Sequence, residues 1–202
     1  MTKLNEFLNY FNHNIDPVEY PEYNFSTKKR INKNELIKQF SIFWELAGGK
    51  IIKTNQKKKA LEEVLKLNII TQKSLVYSTI HLEELKNFPI ILLKDKKIKK
   101  PHDFKELDIL IIEAKLAIAD QGAVWISKNT LIYDSALFLC KHQVILINKK
   151  NLYYNMEDAY PKWIKLSSDG GYWISGPSKT ADIEQSLVIG AHGPLSSIAI
   201  IY

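Results

Sequence analysis

Apolar residues recur along this chain at two spacings, and the changes of spacing mark its elements. Leu4, Phe7, Leu8 and Phe11 stand at i, i+3, i+4 and i+7, one face of a helix. The stretch that follows, HNIDPVEYPEYNFSTKKRINKN, carries Pro17 and Pro21 and keeps no period, so it reads as an extended arm. Residues 1–33 are thus an amino-terminal helix and arm, and residues 34–202 one domain. Leu36, Phe40, Phe43, Trp44 and Ala47 line the next helix. Asn34 is placed to cap it and Gly48-Gly49 to stop it. A strand is predicted at 50–53, a helix around Leu61, Val64 and Leu65, and a strand at 74–78.

The second half repeats the theme. Apolar runs predict strands at 88–93, 108–113, 123–127, 143–148 and 197–202, and another strand at 172–175. The run at 108–113 is nearly continuous, as in a strand buried on both faces. A last helix is predicted from about 181 to 189, with Ile183 and Leu187 inward and Gly190 at its end. Alternating helices and strands predict an α/β fold: a mostly parallel sheet with helices on both faces.

Composition narrows this picture without changing it. The chain is 46% hydrophobic and 25% charged, an ordinary globular balance. Its longest apolar runs fall far short of the roughly 20 residues that a membrane span takes. Polar residues scattered through the first fourteen positions exclude a signal peptide, so a cytoplasmic protein is expected. The formal net charge is +6, yet of 28 basic residues only Arg30 is arginine. Base and phosphate readers lean on the arginine fork. The clusters Lys57-Lys58-Lys59 and KDKKIKK (94–100) also lack interleaved aromatics for stacking. They read as solvated surface, and nucleic acid is not an expected partner. The abundance of Lys, Asn and Ile fits an AT-rich genome.

The single cysteine, Cys140, sits in the apolar context ALFLCKH and reads as a small buried hydrophobe. One thiol cannot hold an iron–sulfur cluster, which commonly takes four cysteines. Redox metal chemistry in this protein's pathway belongs on a partner. The histidines, at 13, 81, 102, 142 and 192, show no metal spacing, and no metal site is expected in this chain. H-E-x-x-H, C-x-x-C, G-x-S-x-G and P-loop motifs are all missing.

Two stretches are placed to carry chemistry, because open α/β sheets bind ligands beyond strand carboxyl ends and near helix openings. In YWISGPSKTADIE a strand ends at Gly176-Pro177 and a helix is expected to open at Ser178 or Thr180. Its free N–H groups, two hydroxyls and Lys179 suit an anion. Simple capping explains the same residues, and Asp182 and Glu184 already complement the helix dipole. In IEAKLAIADQGAVWIS, Glu113 falls at a strand end, where a carboxylate whose pKa is raised by burial can act as a base. Asp120, Gln121 and Gly122 form a turn. His192 and Gly193, in AHGP, add a turn histidine that can carry a proton or touch a ligand. No residue is assigned a catalytic role.

The string ISGPSKTADIEQSLVIGAHGP resembles the signature of the LUD-domain family, and AIADQGAVWIS resembles that family's second block. Asp120-Gln121 stands where Glu-Thr or Glu-Asn is usual, and Leu195 where a basic residue is common. The resemblance covers residues 34–202. It implies a fold similar to ribose-phosphate isomerase, glucosamine-phosphate deaminase and CoA transferases. It also implies a role in a three-protein system that oxidises lactate to pyruvate, as an accessory subunit beside cysteine-rich iron–sulfur proteins. The alternative is a stand-alone enzyme or binder for a small phosphorylated or CoA-linked metabolite. Self-association and the docking of the arm are left open.

Overall fold

Two sheets share one continuous run of chain, which changes sheet at Lys115. The computed structural model describes residues 31–67, 69–71, 73–80, 91–92, 98–181, 187–190 and 192–202. The helix expected at Leu4–Phe11 and most of the strand expected at 88–93 lie outside them. In chain order the elements are α1 (Lys33–Leu46), β1 (Lys50–Lys53), α2 (Lys57–Leu65), β2 (Leu75–Ser78), β3 (Ile91–Leu92), β4 (Ile109–Ala114), β5 (Leu116–Ile118) and β6 (Ala123–Ser127). They continue with α3 (Ala136–Leu139), β7 (His142–Ile147), β8 (Leu152–Tyr153), α4 (Met156–Leu166), β9 (Gly171–Ile174), β10 (Lys179–Ala181), β11 (Leu187–Ile189) and β12 (Ser196–Ile201).

The larger sheet has six strands in the order β1-β12-β7-β4-β2-β3, and every neighbouring pair is parallel. Its apolar strands alternate between two cores, as a period of two requires. Ile109, Ile111, Val144, Leu146, Ile198 and Ile200 pack with Ala60, Leu61 and Val64 of α2. Leu110, Ile112, Ile145, Ile147, Ala199 and Ile201 face the other way, toward Phe40 and Trp44 of α1. Phe40 and Trp44 are fully buried and stack with ring centroids 5.6 Å apart. Burying one such phenyl ring stabilises the fold by about 2 kcal/mol.

The smaller sheet, β8-β5-β6-β9, shares α1's core through Ala117, Val124 and Ile126. Its outer face packs Leu116, Ile118 and Trp125 on Ala159 of α4, with Trp163 and Trp173 beside them. Hydropathy patterning does not reveal α4, because Pro161 lies inside it and proline reads as a helix breaker. Asn155 caps α4 by accepting from the Asp158 N–H at 2.9 Å. At α1 the cap is Asn32 rather than Asn34: the Asn32 Oδ1 accepts from the Glu35 N–H at 2.9 Å.

One expected element is overturned. Instead of a helix over 181–189, β10 and β11 form an antiparallel hairpin, with Lys179 opposite Ile189 and Thr180 opposite Val188. Thr180, Val188 and Ile189 are β-branched and favour the extended chain. Among the described residues, no helix is long and apolar enough to cross a membrane.

Candidate functional site

Parallel strands gather all their carboxyl ends at one edge of the large sheet and all their amino ends at the other. The six residues of β7 separate the two by roughly 17 Å. The residues singled out in the sequence divide between these edges.

Glu113, near the end of β4, stands at the carboxyl edge. Its Oε2 accepts from Lys57 Nζ at 2.8 Å, and its Oε1 accepts from the hydroxyl of Tyr202. Lys57 is the first residue of α2 and Tyr202 follows β12, so three distant segments converge on one carboxylate. Burial pushes the Glu113 carboxyl up, but the hydrogen bonds from Lys57 and Tyr202, with the charges of Lys57 and Lys115, pull it below its ordinary value. Burial and the bond to Glu113 hold the Tyr202 hydroxyl well above its own. At neutral pH the cluster is therefore a carboxylate with both oxygens engaged, by a protonated phenol and by Lys57. Sequence reasoning took Lys57 for solvated surface; its partner lies 56 residues away, which no local spacing can report.

On the other side of the β12 terminus lies a cavity of about 460 Å³ lined by Lys33, Lys38, Lys53 and Lys149, over Ile37 and Ile201. Lys33 Nζ donates to the Leu152 carbonyl at 3.1 Å, and burial lowers its pKa. These lysines come from α1, β1 and the turn after β7, so no sequence motif groups them.

The amino edge holds the other candidates. Ser178 is tied by its backbone: its N–H donates to Pro194 O at 3.1 Å, and its carbonyl accepts from Gly190 at 3.0 Å. No helix opens there, so free helical N–H groups are not available to an anion at Ser178–Thr180. The Lys179 side chain lies beside Gly48. Gly193 packs on Ser178, where an added Cβ would stand 2.8 Å from the serine Cβ. His192 is exposed and borders a shallow cavity of about 500 Å³ with Phe138, Leu139, Lys141 and Leu195. Thr180 pairs with Val188, and its side chain lies outside the described set, as do Asp182 and Glu184 altogether.

The turn of Asp120 and Gly122 joins this edge through the carboxyl end of α1. Gly122 has φ +55°, and a Cβ there would stand 2.6 Å from the Trp44 nitrogen. Gly176 packs equally closely on Ala47, and the Ser175 hydroxyl donates to the Gln121 carbonyl at 3.3 Å. Both sequence blocks thus meet on the last turn of α1. Asp120 Oδ1 is buried with no hydrogen-bond partner, and burial raises its pKa. Among the described residues, no group of His, Cys, Asp and Glu is arranged to hold a metal ion.

Comparison with known proteins bears on both edges. A family model described as LUD domain matches residues 35–202. "Lactate utilization protein C" of Shouchella clausii is 32% identical over 99 residues, covering 46% of this chain and 43% of that protein. The protein of the same name from Bacillus pumilus is 30% identical over 107 residues, covering 43% and 45%. The chain thus spans less than half the length of these relatives in the matched regions. A crystal structure of a DUF162 family protein from Deinococcus radiodurans superposes with a TM-score of 0.64 at 10% identity, covering 85% of this chain and 98% of that one. That likeness establishes a shared α/β fold.

Proposed function

The chain belongs to the LUD-domain family, and from that premise we propose that it serves lactate utilisation as a cytoplasmic, lactate utilisation protein C-like subunit. In this reading it works beside cysteine-rich iron–sulfur proteins that carry the redox centres. Oxidising lactate to pyruvate releases two electrons and two protons, and the electrons need a carrier. The observation that carries the accessory role is the thiol content. Cys140 is the one cysteine, it is 2% exposed, and burial pushes its pKa up to about 12. A thiol held protonated inside a core neither ligates a cluster nor exchanges with a disulfide. With one cysteine, this chain lacks the four thiolates that such a cluster commonly takes. The names of the relatives support the pathway.

Affinity purification from the native host, combined with deletion of the gene, tests this reading. The expected result is co-purification of cysteine-rich proteins with iron–sulfur absorbance, and loss of growth on lactate after deletion. Purification without such partners, together with undiminished growth on lactate, refutes the role.

A further inference from the structure

We infer that the cavity above the carboxyl ends of β1 and β12 is a binding site for a small organic polyanion, one carrying two or more phosphate or carboxylate charges. The inference goes beyond the pathway role and does not depend on it. The cavity is concave and measures about 460 Å³, within the range of small-molecule sites. It also sits where open parallel sheets take their ligands.

Its lining sets the class of ligand. Lys33, Lys38, Lys53 and Lys149 contribute four positive charges, and among the described residues no carboxylate lines it. Among the described residues none of the four has an ion-pair partner that would neutralise it. Lys33 is anchored to the Leu152 carbonyl and is partly withdrawn from water, which a cation tolerates poorly without a counter-charge. Lysines arranged around a hollow act as point charges on anionic oxygens rather than as the planar fork that arginine offers. A monoanion such as lactate would leave most of this charge unanswered, while a diphosphate or a tricarboxylate would match it. Asn55 adds an amide, and Ile37 and Ile201 give an apolar floor for a carbon skeleton.

Isothermal titration of the full chain with pyrophosphate, citrate and L-lactate, at low and at physiological salt, tests the site. The inference expects saturable binding of pyrophosphate, citrate or both, weakening as salt rises, and markedly weaker binding of lactate. Pyrophosphate alone would assign a phosphate ligand, citrate alone a polycarboxylate, and both together recognition by charge; each supports the site. Exchanging Lys53→Gln and Lys149→Gln together should weaken the polyanion about tenfold, as expected for losing two solvent-exposed ion pairs. Lys99→Gln with Lys100→Gln, exposed at the opposite edge, should leave it unchanged. Circular dichroism confirms that each variant is folded. No saturable binding of either polyanion, tighter binding of lactate, or equal effects of the two double variants would overturn the inference. None of these results bears on whether iron–sulfur partners co-purify, so the two readings fail separately.

Discussion

At the amino edge of the large sheet the chain closes by backbone contact. Gly122 lies on Trp44, Gly176 on Ala47 and Gly193 on Ser178, with no room for another carbon. The Lys141–Asp108 ion pair at 2.7 Å adds charge there, but the carboxyl edge is held mainly by charge: Lys57 and Tyr202 grip Glu113, and four lysines stand apart around a hollow. Close backbone packing restricts residue type at each position, so the amino edge carries the longest recognisable string. Charge can be delivered from many positions, so the carboxyl edge carries no string at all. The most legible segment of a sequence is therefore not by that fact its working site.

Substitutions can sharpen this contrast. The largest effect is expected from Gly122→Ala, which combines left-handed backbone with a Cβ 2.6 Å from Trp44 N. It should cost about 3 kcal/mol in urea unfolding. Gly48→Ala is the control. There φ is +85°, but the nearest atoms belong to the flexible end of Lys179, so only the backbone term of about 1 kcal/mol should appear. Equal costs at the two positions would remove close packing as the explanation.

Glu113 and Asp120, one at each edge, should also differ in sign with pH. Glu113 has a folded pKa below its unfolded value. Its contribution is therefore full above about pH 5 and is lost as the pH falls through the folded value. Glu113→Gln should cost about 1 kcal/mol at neutral pH, a figure kept small because the pair is partly exposed, and the deficit should vanish in acid. Asp120 has a folded pKa above its unfolded value. Its folded state binds the extra proton, so stability on its account declines as the pH rises from about 4 through the folded value. Asp120→Asn should flatten that decline, with the smallest change of the series. Unfolding free energies measured across pH for both variants read the two slopes directly; slopes of the same sign would break the contrast.

The central strands of the large sheet were legible because they are buried on both faces and carry continuous apolar runs, 109–112 and 198–201 among them. Of the smaller sheet, β6 and β9 were legible as strands at 123–127 and 172–175, and β5 and β8 were not. β5 follows β4 after the single residue Lys115, and β8 has two residues, too short for any period to register. The hairpin of β10 and β11 was mistaken for a helix because Ile183 and Leu187 share helical spacing, while pairing between 179–181 and 187–189 is a tertiary fact. Turn and strand-end logic places Glu113 near the end of β4 and Asp120 and Gly122 in a turn, which is where they lie. Their partners Lys57, Tyr202 and Trp44 come from remote segments, which chain order does not reveal. The cavity lysines failed for the same reason.

The pairing of β1 also governs how the chain acquires its shape. Among the described strands β1 bonds to β12 alone, with Lys50 opposite Ile198, so nearly the whole domain is synthesised between the two. β12 in turn is wedged between β1 and β7. Until this late strand leaves the ribosome, β1 lacks its partner among the described strands and β7 keeps open the edge that β12 covers. Contacts of such long sequence separation form slowly, and an unpaired parallel edge is where nascent chains associate wrongly. The domain therefore completes its sheet only after translation has passed Ile201, with β1 waiting on β12.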